Sequence, residues 1–401
     1  MKKFSYRCVK CSSEYLSSPE KEMLTCPSCG SNLDVIYDYG NIDITGPVDI
    51  FDMFLYPQLL PVDVDRSFIR LPIGGTPLVR SRLVSNLFFK DDSRNPSLSY
   101  KDRASAIAVL RASELGLDTI VTASTGNAAA SLSVLCAAAG LKAVIFVPES
   151  APEGKLLQIL MHGAQLVKVK GTYDQAFDMA TEYSSYCGAY IRSTGINPMM
   201  TEGKKTSAFE IYEQFGRSAP DNIVVSVGDG CIIGGIYKGF WELKELGMIN
   251  RIPRIFGVQA EGSSPLVKAF ENNSMEFTPE SADTIADSIS VGYPRDGYKA
   301  LRAAYETQGA FISVSDTQIM QAQYDMSKNE GIFCEPAASA AYAGYLKLKP
   351  EGDTVVMVTG NGLKDPQSAD RSNEFSFMTT SFENYSMEDI SKGLNLPLFD
   401  F

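Results

Sequence analysis

The sequence is almost without histidine: His162 stands alone among 401 residues. A serine-hydrolase triad or a histidine-built catalytic metal site is therefore poorly supplied. Inside the helix-like stretch Leu156–Gly163, that single imidazole reads as structural. Positive charge is short as well, with 36 Lys and Arg against 48 Asp and Glu and a net charge of -12, which argues against nucleic acid and anionic membrane as partners. No apolar run reaches the ~18 residues of a membrane span. The start, Met-Lys-Lys-Phe-Ser-Tyr-Arg-Cys, lacks the apolar core of a secretion signal, so a cytoplasmic protein is the expectation. A phosphate-binding P-loop is missing, as is a Gly-x-Gly-x-x-Gly after the first strand. Internal repeats and low-complexity tracts are missing too.

What remains is a globular composition, 44% hydrophobic and 21% charged, on a chain too long for one ordinary core. Four of its eight cysteines are clustered as Cys8-x-x-Cys11 and Cys26-x-x-Cys29, each pair among turn residues. Two such knuckles supply four thiolates at the spacing of a structural zinc site; chance pairs or a redox dithiol are the alternatives. Cys136, Cys187, Cys231 and Cys334 are scattered.

After about residue 70, apolar runs alternate with amphipathic stretches. Leu87–Lys90, Thr119–Thr122, Ala143–Val147, Leu166–Val169, Ile223–Val227, Ile255–Val258 and Thr354–Val358 read as buried strands. Asp102–Leu115, Ala128–Ala139, Tyr173–Tyr186 and Lys204–Gln214 carry apolar residues at helical spacing. The alternation implies parallel βαβ units, with ligand sites where strands end in turns. The last ~35 residues, polar with scattered aromatics, read as a tail that packs on a partner.

Three turns stand out. Asn95–Arg103 places Lys101 at a helix start, where the dipole disfavours an ammonium and a neutral amine is favoured; an ordinary solvated lysine is the plainer reading. Ser124-Thr125-Gly126-Asn127 reads as a carboxylate cradle or a capped helix. Gly228-Asp229-Gly230-Cys231-Ile232 can converge its amides on a phosphate, or be a simple turn.

Together with Gly74–Leu78, Gly171–Ala176, Ile196–Glu210, Glu335–Ala340 and Thr359–Asp365, in this order, these segments make the chain resemble fold-type II pyridoxal-phosphate enzymes, within them the zinc-ribbon-containing threonine-synthase-like family. The resemblance covers roughly residues 70–365. It implies two doubly wound α/β domains of the tryptophan-synthase-β kind: residues 41–102 and 217–401 as the larger, 103–216 as the smaller, and 1–40 as a zinc ribbon. It implies Lys101 as the Schiff-base lysine, with Tyr100 replacing the phenylalanine of the family's Ser-Phe-Lys-Asp pattern. Asn127 would meet the cofactor's phenolic oxygen and share the substrate with Ser124, Thr125 and Gly126. Gly228, Asp229, Gly230, Cys231 and Ile232 would hold the cofactor phosphate, and Thr359 would face the pyridine nitrogen.

A hydroxyl at that nitrogen leaves charge less delocalised than a carboxylate would, which favours elimination or replacement at Cβ or Cγ over transamination. The expected reaction in its most specific form converts O-phosphohomoserine to threonine and phosphate. Alternatives are a threonine or serine ammonia-lyase, a β-replacement enzyme such as cysteate synthase, a catalytically silent binding protein of the same fold, and a non-pyridoxal enzyme holding a nucleotide on the glycine loop. The cofactors implied are pyridoxal phosphate and structural Zn2+; the partners, a small amino acid and a second copy in a homodimer. Some residues depart from the family. Asp178 stands where the family carries a phosphate-gripping arginine and would repel that phosphate. Met200 replaces an arginine before Leu-Glu-Gly, Asp229 an asparagine, and Thr194-Gly195 precede the retained Ile196-Asn197-Pro198. Arg295 is either a substitute anion grip or a salt-bridged residue.

Overall fold

The computed structural model describes residues 4–18, 22–44, 48–151, 153–366, 368 and 386. The proposed C-terminal tail lies almost wholly outside the described residues. The chain starts with β1 (Ser5–Cys8), β2 (Glu14–Leu16) and β3 (Leu33–Ile36), an antiparallel sheet of order β2-β1-β3 that carries the four clustered cysteines. Next come β4 (Leu78–Arg80), β5 (Leu87–Asp91) and α1 (Lys101–Glu114), then β6 (Thr119–Ala123), α2 (Asn127–Ala139), β7 (Lys142–Pro148) and α3 (Glu153–Met161). They are followed by β8 (Gln165–Val169), α4 (Tyr173–Cys187), β9 (Tyr190–Ile191), α5 (Met199–Lys204) and α6 (Thr206–Gln214). The rest is β10 (Asn222–Ser226), α7 (Cys231–Glu245), β11 (Arg254–Ala260), α8 (Pro265–Glu271), α9 (Gly297–Glu306), β12 (Ala310–Val314), α10 (Asp316–Asp325), α11 (Pro336–Leu348) and β13 (Thr354–Val358).

Two parallel sheets hold the core. One has the order β12-β11-β10-β13-β5-β4, with only β4 antiparallel; the other is β8-β7-β6-β9. β10 and β13, buried throughout and apolar at their centres, are the natural middle of a sheet covered on both faces. Their pairing stops at Val224↔Val356 although both strands run two residues further. In the second sheet β6 pairs β9 only over Ile120–Val121 before continuing to Ala123. Both partings lie at topological switch points, where strand ends open a crevice. The crevice is framed by Gly228–Ile232 after β10, Thr359 after β13, Ser124–Asn127 after β6 and Arg192 after β9.

The helix expected over Lys204–Gln214 is α6, which starts two residues later at Thr206 and is set off from α5 by a turn at Lys205. Thr206 Oγ1 takes the Gly203 carbonyl at 2.7 Å, while the Tyr100 hydroxyl takes that of Lys204 at 2.6 Å. Hydroxyls that capture helix carbonyls bend the axis, so α5 ends at Lys204 and α6 starts afresh. His162 follows α3, exposed, with Nδ1 2.7 Å from the Gln158 carbonyl, in keeping with its structural reading.

Candidate functional site

The crevice is a cavity of about 570 Å³ lined by Lys101, Ser124, Thr125, Gly126, Asn127, Gly228–Ile232 and Thr359, among others. Every site residue expected from the three turns therefore borders the same space.

Lys101 opens α1, and the loop before it is tightly pinned. Tyr100 N donates to the Thr359 carbonyl at 2.9 Å, and Ser97 N to the Asp102 carboxylate at 2.7 Å. Leu98 sits at φ 65, a strained conformation of the kind stored beside functional groups. The Lys101 amine lies below the ordinary lysine range, first because burial disfavours its charge and then because the Arg192 guanidinium stands nearby.

The glycine loop presents its backbone. Among the described residues, no N–H from Gly228 to Ile232 has a hydrogen-bond partner, as the start of α7 requires. Gly230 has φ +92, and a Cβ there would stand 2.7 Å from the Asp296 carbonyl, so only glycine fits. Asp229 turns its carboxylate to accept from Arg295 N at 3.2 Å, and burial raises its pKa. The arrangement suits a phosphate monoester: consecutive free donors, a helix N-terminus, and the Lys204 amine, which is fully buried at the cavity wall with no hydrogen-bond partner.

At the second switch point Gly126 N donates to Ser124 Oγ at 3.2 Å, which holds the turn. Thr125, Asn127 and Ala128 leave their amides free at the start of α2. Asn127 Nδ2 is engaged by Glu335 at 2.9 and 3.0 Å and by Ser288 at 3.2 Å, so its carbonyl oxygen is the atom left for a ligand. Thr359 carries a hydroxyl without a partner among the described residues.

Three side chains that line the cavity escaped the sequence reading. Arg192, 1% exposed, borders the cavity and donates to Ser105 Oγ at 3.1 Å, Thr194 Oγ1 at 3.3 Å and the Lys101 carbonyl at 3.3 Å. It has no carboxylate within ion-pair distance among the described residues, and burial brings its pKa to about 10. Lys204 hides in Glu-Gly-Lys-Lys-Thr, and Glu335 lies in a motif noted without a role. Burial raises the Glu335 carboxyl.

One anticipated obstacle is absent from the site. Asp178 is exposed on α4 and does not border the cavity, whereas Asp174 and Phe177 do; repulsion of a phosphate by Asp178 is therefore not a feature of this site. Met200, fully buried, packs in the apolar core with Met199. Arg295 takes the plainer of its two readings, ion-paired to Asp174 at 2.7 Å and lying 4.4 Å over the Phe177 ring.

In the N-terminal sheet, the sulfurs of Cys8, Cys11, Cys26 and Cys29 all lie within 4.8 Å of one another. Separations of 3.4 Å (Cys8–Cys29) and 3.6 Å (Cys11–Cys26) approach the roughly 3.8 Å edge of a tetrahedral zinc thiolate site. Lys10 N and Cys11 N each point at Cys8 Sγ from 3.4 Å, as metal-bound thiolates require of their surroundings.

Comparison with known proteins agrees with this geometry. The family described as pyridoxal-phosphate dependent enzyme matches residues 69–360. The chain is 39% identical over 382 residues to a threonine synthase of Methanosarcina acetivorans, covering 91% of this chain and 93% of that one. It is 37% identical over 387 residues to a threonine synthase of Methanocaldococcus jannaschii, covering 92% and 95%. Among solved structures, threonine deaminase isoform 2 from Solanum lycopersicum matches in fold with a TM-score of 0.64 at 19% identity, over 88% of this chain and 98% of that one. A fungal L-serine ammonia-lyase from Rhizomucor miehei matches with a TM-score of 0.65 at 21% identity, over 74% and 96%. No helix among the described residues is long and apolar enough to cross a membrane. The chain belongs to the pyridoxal-phosphate dependent enzymes, as a lyase similar to the threonine synthases.

Proposed function

We propose that the chain converts O-phosphohomoserine and water to threonine and phosphate. The observation that carries this reading is Arg192, a buried cation at the cavity wall with no carboxylate within ion-pair distance among the described residues. Such a charge is costly unless a ligand supplies the anion, and of the amino acids considered only a phosphorylated one brings a second anion beyond its carboxylate. Threonine or serine would leave Arg192 unanswered.

Each residue then has a task. Lys101 Nζ would hold the coenzyme covalently. Released by the substrate amine, it would stand as a neutral base to take the α-proton and later return it. Burial, and then Arg192, lower the pKa of that amine and so favour its neutral form. The amides of Gly228, Asp229, Gly230, Cys231 and Ile232 would hold the coenzyme phosphate. Bound, the coenzyme supplies an electron sink for the charge left on the α-carbon. Thr359 would offer its hydroxyl to the ring nitrogen without protonating it. Ser124 and the free amides of Thr125, Asn127 and Ala128 would seat the substrate carboxylate, with Asn127 Oδ1 turned toward the ligand. Arg192 would take the distal phosphate and neutralise it as it leaves.

Zn2+ on Cys8, Cys11, Cys26 and Cys29 would be structural, since all four ligand positions are filled by protein. Clustered thiols suit a reducing compartment, which supports the cytoplasm. A homodimer is the assembly proposed. The test of function is release of phosphate, threonine, ammonia and 2-oxo acid from O-phosphohomoserine, O-phosphoserine, threonine and serine. Threonine and phosphate from the first alone is the expected result; ammonia and 2-oxo acid from threonine or serine as the main products would replace this reading with an ammonia-lyase.

A further inference from the structure

Lys204 ends α5 at the point where α5 meets α7. A Cβ at Gly235 would stand 2.7 Å from the Lys204 Cβ, one turn above the first residue of α7, Cys231. Its amine lies in the field of Cys231, Asp296, Lys101 and Arg192. It is fully buried, borders the cavity, and has neither a hydrogen-bond acceptor nor a carboxylate within ion-pair distance among the described residues.

This position is electrostatically wrong for an ammonium in an otherwise completed protein. The start of α7 carries partial positive charge of its own, and the Arg192 guanidinium adds more. A dianion resting between Lys204 and the free amides of Gly228–Ile232 would attract all of these positive groups at once and offset their mutual repulsion. The chain even needs such a cation, because Asp229 adds a carboxyl to the loop.

Resting on the coenzyme assignment above, we propose that Lys204 is the side-chain half of the coenzyme's phosphate site, completing with its ammonium what the loop begins with backbone amides. The two anions then have separate cations. Lys204 lies against α7 for the coenzyme phosphate, and Arg192, tied to Lys101 and Thr194, takes the substrate phosphate.

The full-length protein, stripped of coenzyme, is titrated with pyridoxal phosphate and with pyridoxal, following visible absorbance. Lys204→Met and Lys204→Gln are expected to weaken pyridoxal phosphate by roughly 10–100-fold, the worth of one buried charge-assisted contact, while pyridoxal binds as it does to the parent. Both variants remove an uncompensated buried charge, so thermal unfolding of the stripped protein should not be lowered. Unchanged affinity for pyridoxal phosphate overturns the proposal, and so does a parallel loss for both ligands. Retained coenzyme affinity with a raised KM for O-phosphohomoserine also overturns it, by moving Lys204 to the substrate phosphate. Borohydride reduction and peptide mapping of the parent separate the two readings. Absence of label at Lys101 defeats the coenzyme assignment itself, whereas label at Lys101 with unaltered variants defeats only the role of Lys204.

Discussion

Asn32, four residues before the end of β3, reaches from the N-terminal sheet to donate from Nδ2 to the buried carbonyl of Gly195 at 2.7 Å. Gly195 lies in the cavity wall beside Thr194, so the cysteine-bearing sheet touches the active site. Two residues on, Asp34 pairs with Arg302 at 2.7 Å and Lys299 at 3.6 Å on α9, the helix behind Gly230. Asn32→Ala would leave a buried carbonyl unpaired, a cost of about 1–3 kcal/mol borne by the 194–195 segment. The expected outcome is a KM raised several-fold with little change in coenzyme absorbance. Steady-state kinetics beside the absorption spectrum check this; an unaltered KM would mean the sheet is only attached, not supporting.

Loss of the Zn2+ proposed on the four cysteines should act through the same contact. Cys26→Ser is expected to lower zinc content and thermal stability and to raise KM in step with Asn32→Ala. Metal analysis and kinetics on the two single variants and the double variant test this. Additive losses in the double variant would show that the metal acts elsewhere.

Arg103 joins Asp92 at 2.6 Å and Glu210 at 2.9 Å, while Lys90 meets Glu210 at 2.6 Å, all with side chains that are 0% exposed. The network ties β5, α1 and α6 together two residues beyond Lys101. Arg103→Met would leave two buried carboxylates with a single cation, a loss of about 3–5 kcal/mol. The midpoint of urea unfolding should fall accordingly. A shift below about 1 kcal/mol, the worth of an exposed pair, would mean the acids simply protonate.

The strands at the heart of both sheets were legible because their runs are β-branched and apolar: Thr354–Val358 matches β13 residue for residue. β12, an edge strand only partly covered, offered no such run, and α8 to α10 went unread with it. The three site turns were legible because glycine and small hydroxyl residues in strand-to-helix turns have few other uses. Arg192 was not, since nothing in Ile-Arg-Ser-Thr marks a buried guanidinium. Asp178 was misjudged through helix geometry: Phe177 faces the cavity, and one residue turns the next side chain by about 100°, out to solvent.

Arg192 also controls its neighbour. Its charge is the second-ranked cause that holds the Lys101 amine down, so Arg192→Met removes a like charge and should raise the pKa of that amine. Coenzyme attachment needs the neutral amine, so its pH-rate profile should move to higher pH in the variant, with slower attachment at neutral pH. Stopped-flow absorbance of coenzyme loading across the pH range measures this. A profile that stays in place would assign the depression of Lys101 to burial alone.

Lys204 gives stability a pH dependence whose sign follows from its burial. Its amine is lowered from 10.5 to about 7 by burial, with Lys101 and Arg192 adding repulsion and Cys231 and Asp296 opposing it. Between those two pH values the unfolded chain holds the proton and the folded chain does not, so stability of the stripped protein rises with pH through this window. The penalty is fully present below about pH 7, where both states are charged, and its relief is worth on the order of a few kcal/mol. Lys204→Met should be more stable than the parent at neutral pH and should lose that share of the slope, the two curves approaching each other near pH 10. Bound coenzyme should act in the same direction on the parent, because a phosphate beside the ammonium restores its pKa and flattens the curve. Thermal unfolding of both proteins, with and without coenzyme, is the measurement. Parallel curves for parent and variant would place the Lys204 amine in contact with water and remove the reason for its phosphate role.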